Sequence, residues 1–132
     1  MMDEIKLSTS SKEEFVEITG SLERAVSAKG WDDGVLFLYV PHTTAGVFIN
    51  ENADPSVARD IKAVSEKLAP ANFNYSHAEG NSPGHVKSVL FNQSLFVFVE
   101  KGRLLLGTWQ GVFFAEFDGP RSRRVWMKFV GG

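Results

Sequence analysis

Six consecutive apolar residues, Val35-Leu36-Phe37-Leu38-Tyr39-Val40, stand between a turn-forming Asp32-Asp33-Gly34 and Pro41. Side chains alternate across a strand, so an uninterrupted apolar run of this length is the pattern of a strand buried on both faces. The run therefore calls for a sheet with covering layers on either side.

The rest of the chain supplies further strands and the helices to cover them. Ile5 to Ser8 and Glu14 to Thr19 read as short strands, and Thr44 to Asn50 as a longer one. Thr19 or Ser21 is positioned to cap a helix to about Lys29, with Leu22, Ala25 and Val26 as its apolar stripe and Gly30 as its stop. Asp54-Pro55 opens the clearest helix, in which Val57, Ile61, Val64 and Leu68 recur at helical spacing before Pro70 ends it. Asn72 to Asn81 is polar and loop-like. Ser82-Pro83 repeats the cap-plus-proline pattern and predicts a short helix from about Pro83 to Phe91, with His85 in its first turn. From Leu95 onward the chain reads as β: Leu95 to Val99, Leu104 to Leu106, Gln110 to Phe117 and Val125 to Val130, separated by turns at Glu100–Arg103 and Asp118-Gly119-Pro120. The expected class is α+β, a mostly antiparallel sheet or β-sandwich-like core with two main helices and one short helix. At 132 residues, without repeat or linker, the chain is expected to form one domain over 1–132.

Composition narrows the partners. A net charge of −2 gives no electrostatic case for nucleic acid or an anionic membrane. No apolar run approaches the ~20 residues of a membrane-spanning helix. The absence of cysteine removes disulfides, thiolate nucleophiles and cysteine metal sites and fits a cytoplasmic protein. The acidic start, Met1-Met2-Asp3-Glu4, does not resemble a signal peptide.

The three histidines, His42, His77 and His85, all fall in segments rich in turn formers. Imidazole is the side chain best suited to moving a proton or binding a transition metal near neutral pH. The loop-to-helix segment between His77 and His85 is able to fold both rings toward one point, and His42 ends a buried strand. Three imidazoles with one open position would suit zinc, although three separate hydrogen-bonding histidines would serve the same sequence. Glu79 and Glu51 are candidate general bases or partners fixing a histidine tautomer, against a plain role as solvated acids. Thr43, Thr44, Ser76, Asn81 and Ser82, with the short helix's N-terminus, offer groups for an anion or for routine turns and caps. Arg121, Arg123 and Arg124 flank a turn, and guanidinium binds phosphate in a fork, although Asp118 and Glu116 are there to balance them. Alternation sends Arg123 and Arg124 to opposite faces. Trp109 reads as core or interface.

Four motifs together resemble a known family: Pro-His-Thr-Thr-Ala-Gly-x-x-Ile-Asn-Glu at 41–51, His-Ala-Glu-Gly-Asn-Ser-Pro-x-His at 77–85, Gly-Arg-Leu-x-Leu-Gly-Thr-Trp-Gln at 102–110 and Glu-x-Asp-Gly-Pro-Arg at 116–121. They are similar to the YjbQ, or UPF0047, family, also called the secondary thiamine-phosphate synthase family. Asn92 and Phe98 depart from its pattern, which tends to have Gly and Pro there. The resemblance implies a compact α+β homotrimer with a sandwich-like core and a metal or active site at His42, His77 and His85, near a subunit boundary. It implies weak thiamine phosphate synthase activity, joining hydroxymethylpyrimidine diphosphate to thiazole phosphate. On that reading a divalent cation, zinc or magnesium, is the cofactor. His42, His77, His85 and Glu79 would be catalytic, and Thr43, Thr44, Asn81 and Arg121 would bind a phosphorylated small-molecule substrate. A metal-dependent hydrolase of a phosphate or other ester, and a non-catalytic trimeric metabolite-binding protein, are the alternatives.

Overall fold

A computed structural model describes residues 2–132; Met1, the first residue of the acidic start, lies outside the described residues. The chain forms β1 (Asp3–Ser8), β2 (Glu14–Glu17), α1 (Thr19–Lys29), β3 (Gly34–Tyr39), β4 (Ala45–Glu51), α2 (Pro55–Leu68), α3 (Ser82–Leu90), β5 (Ser94–Glu100), β6 (Arg103–Leu104), β7 (Gln110–Glu116) and β8 (Ser122–Gly131). Two antiparallel sheets result, a larger one ordered β1-β8-β3-β5-β6 and a smaller one ordered β2-β7-β4. The class is α+β, as expected.

The main core joins both sheets. Leu36, Leu38, Val97, Val99, Val125 and Met127 from the larger sheet pack with Val47, Val112 and Phe114 from the smaller one, and with Leu22 and Val26 of α1. Burying each such side chain contributes about 1.5–3 kcal/mol. A second cluster, Phe48, Phe113, Ala115 and Phe117, fills the other face of the smaller sheet together with Phe15, Ile61 of α2 and Phe91 after α3.

The doubly buried strands are therefore β7 and most of β4, not β3. Residues 111–117 are buried without interruption. In β3, Leu36 and Leu38 point inward, whereas Phe37 and Tyr39 face outward and are about half exposed. The helices shield the smaller sheet, and among the described residues nothing covers the outer face of the larger one.

Local differences have similar tertiary causes. Neither Thr19 nor Ser21 caps α1, whose N-cap is Ile18. The Thr19 hydroxyl instead donates to Glu17 and accepts the Val112 N–H at 2.8 Å, tethering the helix start to β7. Asp54 does cap α2, accepting the Ser56 N–H, with Pro55 in the first turn. The last strand begins at Ser122 rather than Val125, because ion pairing allows Arg123 to be buried.

Candidate functional site

Three connections meet at one end of the smaller sheet. β4 pairs with β7 so that Ala45 faces Glu116, and the Phe117 N–H donates to the Thr44 carbonyl at 3.1 Å. The β3–β4 link thus lies against the β7–β8 turn. α3 is fastened above them: the Ser88 hydroxyl donates to the Ala45 carbonyl at 2.7 Å, and Gly84 lies so close to Phe117 that an added Cβ would sit 2.9 Å from its carbonyl oxygen. The loop into α3 turns at Gly80, whose φ of 80° favours glycine.

A polar cleft of about 540 Å³ opens there. Thr43 and Thr44 line it from the β3–β4 link, His77, Glu79, Asn81 and His85 from the loop and first turn of α3, and Asp118 and Arg121 from the β7–β8 turn. The imidazoles of His77 and His85 meet edge to face, with centroids 5.3 Å apart and planes at 71°. Glu79 reaches His77, with Oε1 3.6 Å from Nε2. The Asp118 carboxylate accepts from Asn81 Nδ2 at 3.0 Å and from Arg121 Nη2 at 3.1 Å, and Arg121 Nε donates to the Asp118 carbonyl. The Asn81 side-chain oxygen is buried without a donor.

His42 does not line this cleft, although Thr43 and Thr44 beside it do. β3 ends at Tyr39, opposite Trp126, so on that side the next residues of β8 have no ladder partner, although β1 still pairs with them on the other. The His42 ring takes the place of β3: Nε2 accepts the Arg124 N–H at 3.1 Å. An accepting Nε2 requires the uncharged ring with its proton on Nδ1. Burial, and then the nearby Arg123 guanidinium, hold the His42 pKa below the usual imidazole value.

Behind the cleft runs a buried ionic network. Glu116 is fully buried and Arg123 nearly so. Arg123 Nε donates to Glu116 at 2.8 Å and Nη2 to the Thr44 hydroxyl at 2.9 Å. The Thr9 hydroxyl and the Asp118 N–H also donate to Glu116. Burial alone would raise the Glu116 pKa, but these hydrogen bonds, Arg123's first, hold it below the usual carboxylate value. The network supports Thr44 and Asp118 from beneath.

The other candidates lie elsewhere. Glu51 accepts the Asp54 N–H beside α2. Ser82 is buried in the first turn of α3, and Ser76 is exposed in the loop before it. Arg124 is exposed on the face opposite Arg123, as alternation requires. Trp109 is largely exposed and so is not core. Asn92 receives β4 through its carbonyl, from the Val47 N–H at 2.7 Å, and Phe98 lies on the bare outer face. Along the chain Asp118 and Glu116 show no role beyond balancing arginines; their positions two apart, before a Gly-Pro turn and the arginines, are the one local signal of the network they build.

The expected three-histidine metal centre does not form. Among the described residues no three His, Cys, Asp or Glu side chains converge to hold an ion. For His42 the reason is the ladder bond, which commits its Nε2 lone pair to Arg124. The donor set thus does not fit the expected divalent cation.

Residues 3–132 match the family model described as UPF0047 protein YjbQ-like. A UPF0047 protein of Methanocaldococcus jannaschii is 49% identical over 99% of this chain and 95% of its own. The UPF0047 protein YugU of Bacillus subtilis is 42% identical over 99% of this chain and 100% of its own. A crystal structure of a conserved YjbQ/UPF0047 protein from Clostridium acetobutylicum superposes with a TM-score of 0.93 at 47% identity, covering 97% of this chain and 99% of that one. A YbjQ-like protein of unknown function from Sulfolobus solfataricus superposes at 0.92 with 28% identity, covering 100% and 97%. These descriptions carry a family and no thiamine phosphate chemistry. With the ligand set broken as well, the metal-dependent thiamine phosphate synthase and the ester hydrolase offered beside it do not stand as functions of this protein. What sequence and fold together establish is kinship: the chain belongs to the UPF0047 YjbQ-like family.

Proposed function

We propose that the polar cleft is a proton-transfer site for a small anionic molecule. The observation that carries this reading is the edge-to-face pair of His77 and His85, 5.3 Å apart, in a cleft that also holds Arg121. Two adjacent imidazoles suit a reaction in which one ring takes a proton and the other gives one. The Glu79 carboxylate lies beside His77, 3.6 Å from Nε2, too far to be a hydrogen bond. The exposed guanidinium of Arg121 is held by Asp118 at the rim and attracts the anion, and the Thr43 hydroxyl is free to turn toward it. Asn81 and Thr44 shape the wall. A panel of small carboxylic and phosphorylated acids in D₂O, followed by NMR, tests the idea. The wild type should incorporate deuterium at an acidic C–H of at least one member, and His77→Gln and His85→Gln should each slow it by about 10²-fold or more. Exchange unchanged in both variants would reject the assignment.

The partner on the outer face of the larger sheet is a second reading with its own support. Phe37, Tyr39, Phe96, Phe98 and Val130 lie there, each 46–52% exposed. Tyr39 stacks on Trp126 at 5.6 Å and Phe96 packs against both Phe37 and Phe98. Half-exposed aromatics bare roughly 100 Å² each, so the patch reaches the few hundred Å² that monomers rarely leave uncovered. The reading is a homotrimer closed through this face. Light scattering should return about 44 kDa against the 14.6 kDa of one chain. Phe37→Ser with Phe96→Ser should lower that mass; an unchanged mass would exclude this face. A cysteine-free chain working in the cytoplasm fits the same picture. No described helix is long and apolar enough to cross a membrane.

A further inference from the structure

A second and larger cleft, of about 800 Å³, lies between the C-terminal end of α2, the β1–β2 link and the start of α3. It shares one wall residue, Asn81, with the histidine cleft but differs in chemistry. Phe117, Pro70 and Pro83, with Ala69 and Ala71, give it an apolar lining. Its charged groups are Lys12, Lys62 and Lys87 against Glu13 and Glu66.

These charges are unevenly paired. Lys87 is 2% exposed and places its ammonium 2.7 and 3.0 Å from the two oxygens of Glu13. A buried lysine needs such a partner, so the Glu13 carboxylate is committed to Lys87. Among the described residues Lys62 reaches only the Glu13 backbone carbonyl, at 3.3 Å. Among the described residues neither Lys62 nor Lys12 belongs to an ion pair. Glu66 is exposed at the margin. The result is a cleft of small-molecule size with an apolar floor and one uncompensated positive charge.

We propose that this cleft is a ligand site, separate from the histidine cleft, for a flat apolar molecule carrying a single carboxylate. The body lies on the accessible Pro70, Pro83 and Ala71 surfaces, above the buried Phe117 and Ala69, and the carboxylate meets Lys62 and Lys12. The Glu13–Lys87 pair is the rigid wall that keeps the lysines from collapsing onto a protein carboxylate. The proposal does not depend on the reaction assigned to the histidines.

Indole-3-acetate is the probe, with indole as its uncharged control, titrated into ¹⁵N-labelled full-length protein. The acid should produce saturable shifts of the Lys12, Ala71, Gly80 and Gly84 amides. Indole should move the same amides at least about tenfold more weakly. Lys12→Gln with Lys62→Gln, both at solvent-accessible positions, should reduce the acid's affinity about tenfold while the melting temperature stays near the wild type's. Lys62→Gln alone, with an intermediate loss, guards against an unfolded double variant. Absence of saturable shifts at about 10 mM acid overturns the proposal. So does equal binding by the double variant, or a response confined to His77, His85 and Arg121.

Discussion

Replacing Arg123 by Met should test the claim that the candidate site rests on one buried ion pair. Glu116 is fully buried and accepts from Arg123, Thr9 and the Asp118 N–H. Methionine keeps most of the side chain's bulk but removes the guanidinium. The carboxylate is then left with two neutral donors in a site without water access, and breaking a buried pair in this way costs about 3–5 kcal/mol. Adding Glu116→Gln removes the stranded charge: its amide oxygen, in the place of Oε1, still accepts from the Asp118 N–H, and its amino group meets the Thr9 hydroxyl, which can turn to accept. The double variant should therefore recover about 2 kcal/mol of the loss. Urea denaturation at fixed protein concentration measures both, since an oligomer's stability depends on concentration. The pH dependence supplies a sign test. In the wild type the Glu116 pKa lies below its unfolded value of 4.5, so its contribution is complete above that value and is lost as pH falls through the folded pKa. Without Arg123, burial dominates and raises the carboxyl, so mild acid should narrow the gap between variant and wild type. A cost under about 1 kcal/mol, or a gap that widens in mild acid, would refute the account.

The remaining predictions are narrower. His42 has a pKa held below 6.5, so the stability it contributes is present above that value and lost as pH falls. His42→Ala should cost about 1 kcal/mol at pH 7.5 and flatten the fall in melting temperature between about pH 6.5 and 5. At Gly46 a Cβ would lie 2.9 Å from the Asn92 carbonyl oxygen, so Gly46→Ala should destabilise by about 1–3 kcal/mol in urea, in contrast to the gain usual for such a change. Phe114, with no exposure at the centre of the main core, should cost about 3–5 kcal/mol as Phe114→Ala by the same measurement.

Much of the fold is legible along the chain. Asp54-Pro55 announces α2 because cap and proline act within one turn, and the alternation of Arg123 and Arg124 survives because a strand sends neighbours to opposite faces. The loop clustering of His77, Glu79 and His85 is equally local, since eight residues with a glycine turn bring the rings together. Asp118 enters the same cleft from more than thirty residues away, and only the β4–β7 register puts it there.

What the sequence determined by itself is the α+β class, the order of most elements and the local half of the cleft, because periodicity, caps and turns operate over a few residues. Tertiary structure alone decided three things. The doubly buried strand is β7 rather than β3, because burial depends on which sheet the helices cover. Arg123 is internal, because Glu116 lies within reach to neutralise it. His42 serves a strand ladder instead of a metal, because the end of β3 leaves the Arg124 N–H without a backbone acceptor. Each outcome turns on which distant groups compete for a residue's hydrogen bonds or apolar surface, and no reading of neighbours along the chain contains that information.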